Sequence, residues 1–482
     1  MNFFSRITSE KLLSYVSYIL YILLGIVGII LLFHIDYFSV PDTDFFAYVD
    51  QGKNFFSHPF SSGKYPIGYP LIVYALEHVL PIPNPGIRGS IFLNINAFIA
   101  SCFLLFTLLR KKINFFSCIP VLLLLINPLT YSMILTSGNE TMFILGILGV
   151  WFLRDRQYRY WAYILAYICL LFRHEAIVLI PALIAYDYME GKKVLSAVVM
   201  YACVCLIIYV FAFASGGEYM KEIIGREAEI PNMTFLKNSF FLYPFMIRNI
   251  LAIQIILSFV GFLCGALIYM RKKNSSMMFG VLCIVFYSCI HIFFPDSSSR
   301  YSYIVLWFIY PVVLHMSISC IQFFTNNTLY RKILYLYICV LVCIVGYTLA
   351  QSLFIDYPYD RYYRLESKLA AEWFDAHVHS QATVFTHSPE IVKYYMKSPF
   401  VWLTSNKADF FNIIDIDKEH IIIVMDSYKM TQSFLFLDPL GVDFRQTFTP
   451  EFVEANFQLI DTVYKNDEHW AKFYSNKSLT EL

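Results

Sequence analysis

Long apolar runs alternate with short basic or aromatic connections over most of the chain. A membrane-crossing helix needs about 20 apolar residues. The runs predict spans at roughly 12–33, 89–109, 115–130, 137–153, 159–172, 176–189, 194–214, 249–270, 277–294, 301–322 and 333–354, about eleven in all. The fifth and sixth are short for a crossing. The first run is longer than a signal-peptide core of roughly 7–15 residues and lacks a small-residue cleavage site, so it reads as a retained first helix.

Basic residues give this pattern a direction. With a cytoplasmic N-terminus, one side receives Arg6 and Lys11, then Arg110-Lys111-Lys112 and Arg154, Arg156 and Arg159. It also receives Lys192-Lys193, Arg271-Lys272-Lys273 and Arg331-Lys332. Every dense basic cluster between spans falls on that side, which is the positive-inside pattern. The other side holds two long aromatic-rich loops, 34–88 and 215–248, and everything from about Asp356 onward. Loops of that length are commonly functional.

Beyond residue 355 the apolar runs shorten and charges become frequent. Arg361 to His379 carries Leu365, Leu369, Trp373 and Phe374 at helical spacing. Ala382–Thr386 and His420–Asp426 read as strands, and Pro389–Met396 as a short helix opening with proline. Phe457–Lys465 and Trp470–Tyr474 read as a hairpin around Asn466-Asp467. The expectation is an α-helical polytopic membrane protein (1–355) with a small C-terminal soluble α/β domain (356–482) on the outer side.

Composition agrees. Of 482 residues, 58% are hydrophobic and 15% charged, against about 25% charged in soluble domains. The net charge of +1 gives no reason to expect a nucleic-acid partner. All 11 cysteines lie in apolar stretches, the usage of small buried hydrophobes rather than of a disulfide framework. His34, His58, His78 and His291 share no metal-ligand spacing.

The candidate chemistry gathers at the outer ends of the spans. Asp42 and Asp44 follow Pro41, and Phe45, Tyr48, Val49, Phe55 and Phe56 then share one face of a helix, which would lie along the membrane interface. A carboxylate there suits a general base facing a lipid-linked substrate; helix capping is the competing role. Lys64-Tyr65-Pro66-Ile67-Gly68-Tyr69-Pro70 reads as a rigid turn, with Lys64 able to meet a phosphate. Glu140 follows Ser137-Gly138-Asn139 at the start of the fourth span, where an ionisable residue points to function. Arg173 in the turn Arg173-His174-Glu175 and Arg300, both on the outer side, are cations suited to gripping a phosphate; a local ion pair and an interfacial anchor are the competing roles.

Taken in order, these motifs resemble the GT-C glycosyltransferases, in the branch of the lipid A aminoarabinose transferases and protein O-mannosyltransferases. The resemblance rests on Pro41-Asp42, the Tyr65-Pro66-Ile67-Gly68-Tyr69-Pro70 segment, Asn139-Glu140, the turn at Arg173, Arg300-Tyr301 and a terminal outer domain. Ile67 stands where some relatives have a second proline, and the loop 215–248 does not align. The resemblance implies a multi-pass protein of a bacterial cell membrane that moves a sugar, with inversion, from a polyprenyl-phosphate donor to a lipid, glycan or protein acceptor. It implies Asp42 as the base, with Asp44 and Glu140 as further catalytic candidates, and Lys64, Tyr65, Arg173 and Arg300 near the donor phosphate. It leaves open whether a divalent metal takes part. A transporter or flippase of lipid-linked saccharides, or a polysaccharide polymerase or ligase, is the alternative.

Overall fold

The structure is a computed structural model. It describes residues 10–33, 43–55, 65–82, 84–125, 127–135, 138–214, 277–292, 299–324, 336, 365–386, 389–404, 420–426, 448–466 and 469–476. The chain divides into two compact units, Met1–Ser39 with Ala47–Tyr357, and Val40–Phe46 with Pro358–Leu482.

The larger unit is helical. Its described helices are α1 (Glu10–Phe33), α2 (Thr43–Phe55, which belongs to this unit from Ala47 onward), α3 (Gly68–Val79), α4 (Pro85–Ile113), α5 (Cys118–Leu125) and α6 (Pro128–Leu135). Then follow α7 (Glu140–Asp155), α8 (Arg159–Cys169), α9 (Leu179–Met189), α10 (Leu195–Ala214), α11 (Met277–Ile292) and α12 (Ser299–Phe324). Among the described residues, Ser14–Phe33 and Pro85–Ile113 are long and apolar enough to cross a membrane, and Leu195–Ile207, Met277–Tyr287 and Tyr303–His315 are shorter apolar helices. The runs expected at 249–270 and, apart from Leu336, 333–354 lie outside the described residues, as does the loop 215–248.

Three local differences from the sequence expectation have simple causes. The run 115–130 is not one helix: a 3-10 turn (Asn114–Ser117) leads into α5, and the chain breaks before Pro128, which opens α6. Proline cannot donate the bond that would continue α5, but it fits a first helical turn. The Thr130 hydroxyl donates to the carbonyl of Leu124 at 2.6 Å across the break. Secondly, the loop 34–88 holds α3, where prolines had suggested only a turn. Pro70 sits in the first turn of α3, where a missing N–H costs nothing. Thirdly, the apolar face of α2 is not bare: Phe45 and Tyr48 are buried, and the Tyr48 ring packs edge-on against Tyr65 (4.7 Å) and Tyr69 (5.0 Å).

Helix α4 is the spine of the unit and packs against α1, α3, α7 and α12. Its early turns meet the start of α7 and its last turn meets the end of α7, so the two helices run parallel. At one end the Thr141 hydroxyl donates to Asn94 Oδ1 (2.7 Å), and at the other Lys112 Nζ meets Asp155 Oδ1 (2.5 Å). Trp151 of α7 stacks on Phe308 of α12, and Gly280 lets α11 close on the same indole: a Cβ there would meet the ring at 2.8 Å. Apolar side chains such as Ile19 (66% exposed) of α1 and Leu206 (62%) of α10 face outward.

The smaller unit is α/β. Its elements are α13 (Leu365–His377), β1 (Ala382–Phe385), α14 (Pro389–Tyr395), β2 (Val401–Thr404), β3 (Ile421–Asp426), α15 (Pro450–Asn456), β4 (Gln458–Asn466) and β5 (His469–Ser475). The sheet order is β2-β1-β3-β5-β4, with β2, β1 and β3 parallel and β5 antiparallel to β3 and β4. Alternate side chains build two cores. Val384, Ile422, Val424 and Phe473 meet Trp373 and Phe374 of α13 on one face, and Phe385, Ile421, Ile423 and Tyr474 meet Val453 and Phe448 on the other. Trp373 stacks flat on Phe473 at 3.9 Å and donates from Nε1 to Asp461 Oδ2 at 2.6 Å. β2 and α15 are additions to the sequence reading; Thr449 caps α15 by accepting from Phe452 N, with Pro450 at the first helical position.

Candidate functional site

Glu140 and Arg173 come together. Glu140 opens α7, and Arg173 follows α8, where three successive i→i−3 bonds (Leu170 to Tyr167, Leu171 to Ile168, Phe172 to Cys169) tighten the chain into its turn. Arg173 NH1 donates to Glu140 Oε1 at 2.6 Å and to Asn139 Oδ1 at 2.8 Å. The other edge of the guanidinium faces Glu175: NH2 lies 2.7 Å from Oε1, and Nε lies 3.2 Å from both carboxylate oxygens. All three charged side chains are largely shielded, with 3% exposure at Glu140, 7% at Arg173 and 15% at Glu175. Burial opposes the Arg173 charge, but Glu175 and Glu140 outweigh it and push its pKa above the ordinary arginine range.

Neutral groups fix this cluster in place. Asn139 donates from Nδ2 to the Phe172 carbonyl at 2.7 Å, tying the start of α7 to the residue before Arg173. Asn94 donates to the Gly138 carbonyl at 2.9 Å while accepting from Thr141. Both asparagines are buried. Three elements thus converge on one backbone turn through satisfied buried amides, a rigid arrangement.

The first outer loop docks on the same turn. Gly68 N donates to the Leu171 carbonyl at 2.6 Å, two residues before Arg173, and a Cβ on Gly68 would lie 2.6 Å from that oxygen. Only glycine allows the approach. Tyr65 is held from the other side: its N–H donates to Gln51 Oε1 at 3.1 Å, and Gln51 Nε2 donates back to its carbonyl. The Tyr65–Pro70 segment is therefore a bracket joining α2 to the Arg173 turn, not only a return to the membrane.

Of the sequence candidates, Glu140, Arg173 and Tyr65 are described in full. Asp44 lies in the first turn of α2 and Arg300 in the first turn of α12, with side chains outside the described residues; Asp42 and Lys64 lie outside them altogether. The sequence did not single out Asn94, Thr141 or Gln51, whereas the local ion pair of Arg173 with Glu175, the competing role for that turn, is present. The signal for Glu175 was a carboxylate two residues from a candidate phosphate-binding arginine. Among the described residues no three His, Cys, Asp or Glu side chains gather as a metal-ligand group.

A second charged cluster occupies the opposite helix ends. Asp187 of α9 receives Arg154 NH2 at 2.7 Å and Arg159 Nε at 2.5 Å, and Tyr163 OH at 3.1 Å. Arg154 also pairs with Glu190, which Lys192 reaches at 2.7 Å, and Arg159 NH2 donates to the Lys193 carbonyl at 2.7 Å. With Lys112–Asp155, the basic runs at 110–112, 154–159 and 192–193 share one end of the bundle. The Glu140–Arg173 cluster sits at the other.

No protein-family profile and no curated protein matches the chain. Two crystal structures of ArnT from Cupriavidus metallidurans, one in the apo state and one bound to undecaprenyl phosphate, match it in fold. Each superposes with a TM-score of 0.52 at 11% identity, over 95% of this chain and 98% of that one. The chain has the ArnT-like fold along nearly its whole length.

Proposed function

We propose that this chain is a multi-pass membrane glycosyltransferase of the GT-C kind, which moves a sugar from a polyprenyl-phosphate donor at the outer membrane face. The observation that carries the reading is the fold likeness across both units to ArnT, a GT-C lipid A aminoarabinose transferase with a structure bound to undecaprenyl phosphate. Three features support it. Outward-facing apolar surfaces such as that of α1 suit lipid. Basic residues gather at one bundle end, which a positive-inside protein turns to the cytoplasm. Three of the motifs that resemble the family, Tyr65–Pro70, Asn139-Glu140 and the Arg173 turn, meet at the opposite end.

In this reading about eleven helices cross the membrane, and the α/β unit (356–482) is extracytoplasmic, on the outer side of the membrane, where it selects a lipid, glycan or protein acceptor. Asp42, with Asp44 beside it, supplies the base that takes the proton of an acceptor hydroxyl. That oxygen attacks the anomeric carbon from the side opposite the phosphate, the C–O bond to phosphate breaks, and the configuration inverts. The transition state resembles an oxocarbenium ion and leaves a growing negative charge on the phosphate. Arg173, Arg300 and Lys64 stabilise that charge, with Tyr65, next to Lys64 in sequence, near the donor phosphate. Glu140 is committed to Arg173, so we assign it to anchoring the guanidinium. Transfer of label from a polyprenyl-phosphate sugar by membranes carrying the chain tests the proposal, and the same assay with chelator or added Mg²⁺ reads its metal dependence. No transfer from any donor by folded protein, with a crude acceptor extract present, would overturn it.

A further inference from the structure

We infer that Glu175 is an internal stand-in for the donor phosphate, which must displace it from Arg173. The inference rests on the polyprenyl-phosphate reading given above. The two edges of the guanidinium are used differently. NH1 is anchored from within by Glu140 and Asn139, both on the well-buried start of α7. Nε and NH2, the edge suited to two-point recognition of carboxylate or phosphate, carry Glu175. Glu175 is the most exposed of the three charged side chains. It sits on the short 3-10 segment His174–Val178, only two residues from Arg173.

This asymmetry has a functional consequence. A cation buried with no anion on its outer edge would be costly. Glu175 removes that cost while the donor is absent, and a phosphate can take its place without disturbing the inner anchor. The Glu175 carboxylate then swings outward, while Glu140 and Asn139 keep Arg173 aimed. The site is thus held in a self-ligated state, and apparent donor affinity falls by the fraction of time Glu175 occupies the edge. Glu175 is a positioning residue that acts through Arg173.

The test is binding of undecaprenyl phosphate, and separately of inorganic phosphate, to the full chain in nanodiscs. The proteins are wild type, Glu175→Gln, and the double variant Arg173→Gln/Glu175→Gln, with thermal unfolding to confirm each is folded. Glu175→Gln should bind the lipid phosphate ~10-fold or more tightly than wild type. The double variant should lose that gain, and inorganic phosphate should show a smaller one. Should Glu175→Gln not fold, Glu175→Asp, whose shorter carboxylate holds the edge less well, should move affinity in the same direction. Wild-type binding of the lipid with no gain in the folded Glu175 variant would overturn the stand-in role and leave the donor reading intact. A gain that persists without Arg173, or that appears for inorganic phosphate alone, would also overturn it. No lipid binding by any variant would overturn the donor reading itself.

Discussion

Arg173 and Glu140, 33 residues apart in sequence, meet at 2.6 Å in a buried setting. The pair joins the turn after α8 to the start of α7, and Asn139 doubles the joint by reaching the Phe172 carbonyl. Removing one member of a buried pair strands the other's charge and typically costs about 3–5 kcal/mol. Glu140→Ala and Arg173→Ala should each unfold well below the wild-type temperature. Arg173→Lys keeps a charge but not the fork, and should lower sugar transfer by about 10²–10³-fold in folded protein. Differential scanning fluorimetry alongside the transfer assay checks both.

The bracket makes a separate prediction. Gly68→Ala places a methyl carbon 2.6 Å from the Leu171 carbonyl oxygen and 3.0 Å from its carbon, both backbone atoms. Relief requires the loop to move away from the Arg173 turn. We expect a loss of about 1–3 kcal/mol, the usual range for overpacking, and a fall in transfer rate. Wild-type stability and activity in Gly68→Ala would show that the Gly68–Leu171 contact positions nothing.

At the opposite bundle end, Asp187 serves two arginines. Asp187→Ala would leave Arg154, whose side chain is fully shielded, without that carboxylate, and should cost about 3–5 kcal/mol. Disruption of Lys368–Glu372, an exposed pair at 4.0 Å, should cost about 0–0.5 kcal/mol. Sidedness can be read directly: a reporter fused after Lys193 should report the cytoplasm, and one fused after Glu175 the outer side. The reverse pattern would contradict the proposed orientation.

In the α/β unit, Trp373 both stacks on Phe473 and donates to Asp461. Trp373→Ala should cost about 3–5 kcal/mol through the lost core volume. Trp373→Phe retains an aromatic stack and should cost about 1–3 kcal/mol, the usual penalty for an orphaned polar partner. Chemical denaturation followed by circular dichroism separates the two.

Much of this architecture was legible in the sequence wherever one local rule decided it. The hairpin around Asn466-Asp467 followed from alternation and turn chemistry, and β4 and β5 lie within a residue or two of the expected bounds. The α1, α7 and α10 bounds follow from the lengths of their apolar runs. β2 was missed because four residues are too short to show alternation. α3 was missed because Pro66 and Pro70 resemble a turn until the second is placed in a first helical turn. The start of α15 was written in Thr449-Pro450, a cap followed by proline, but the seven-residue helix has little periodicity. At the site, sequence motifs picked out Glu140 and Arg173 separately. Glu175 on one edge of that guanidinium is a local neighbour, but the meeting of the other edge with Glu140 is a fact of tertiary packing over 33 residues that no local pattern encodes.

The central claim is sugar transfer from a polyprenyl-phosphate donor with Asp42 as base. The most direct test is sugar release from a panel of labelled polyprenyl-phosphate sugars by membranes carrying wild type or Asp42→Asn, with folding of both verified and an acceptor extract present. Wild type should turn over at least one donor, and Asp42→Asn should fall by about 10²–10⁴-fold, the range for loss of a general base. Undiminished turnover by Asp42→Asn would remove Asp42 from that role, and no turnover of any donor would contradict the glycosyltransferase account and favour transport of lipid-linked saccharides.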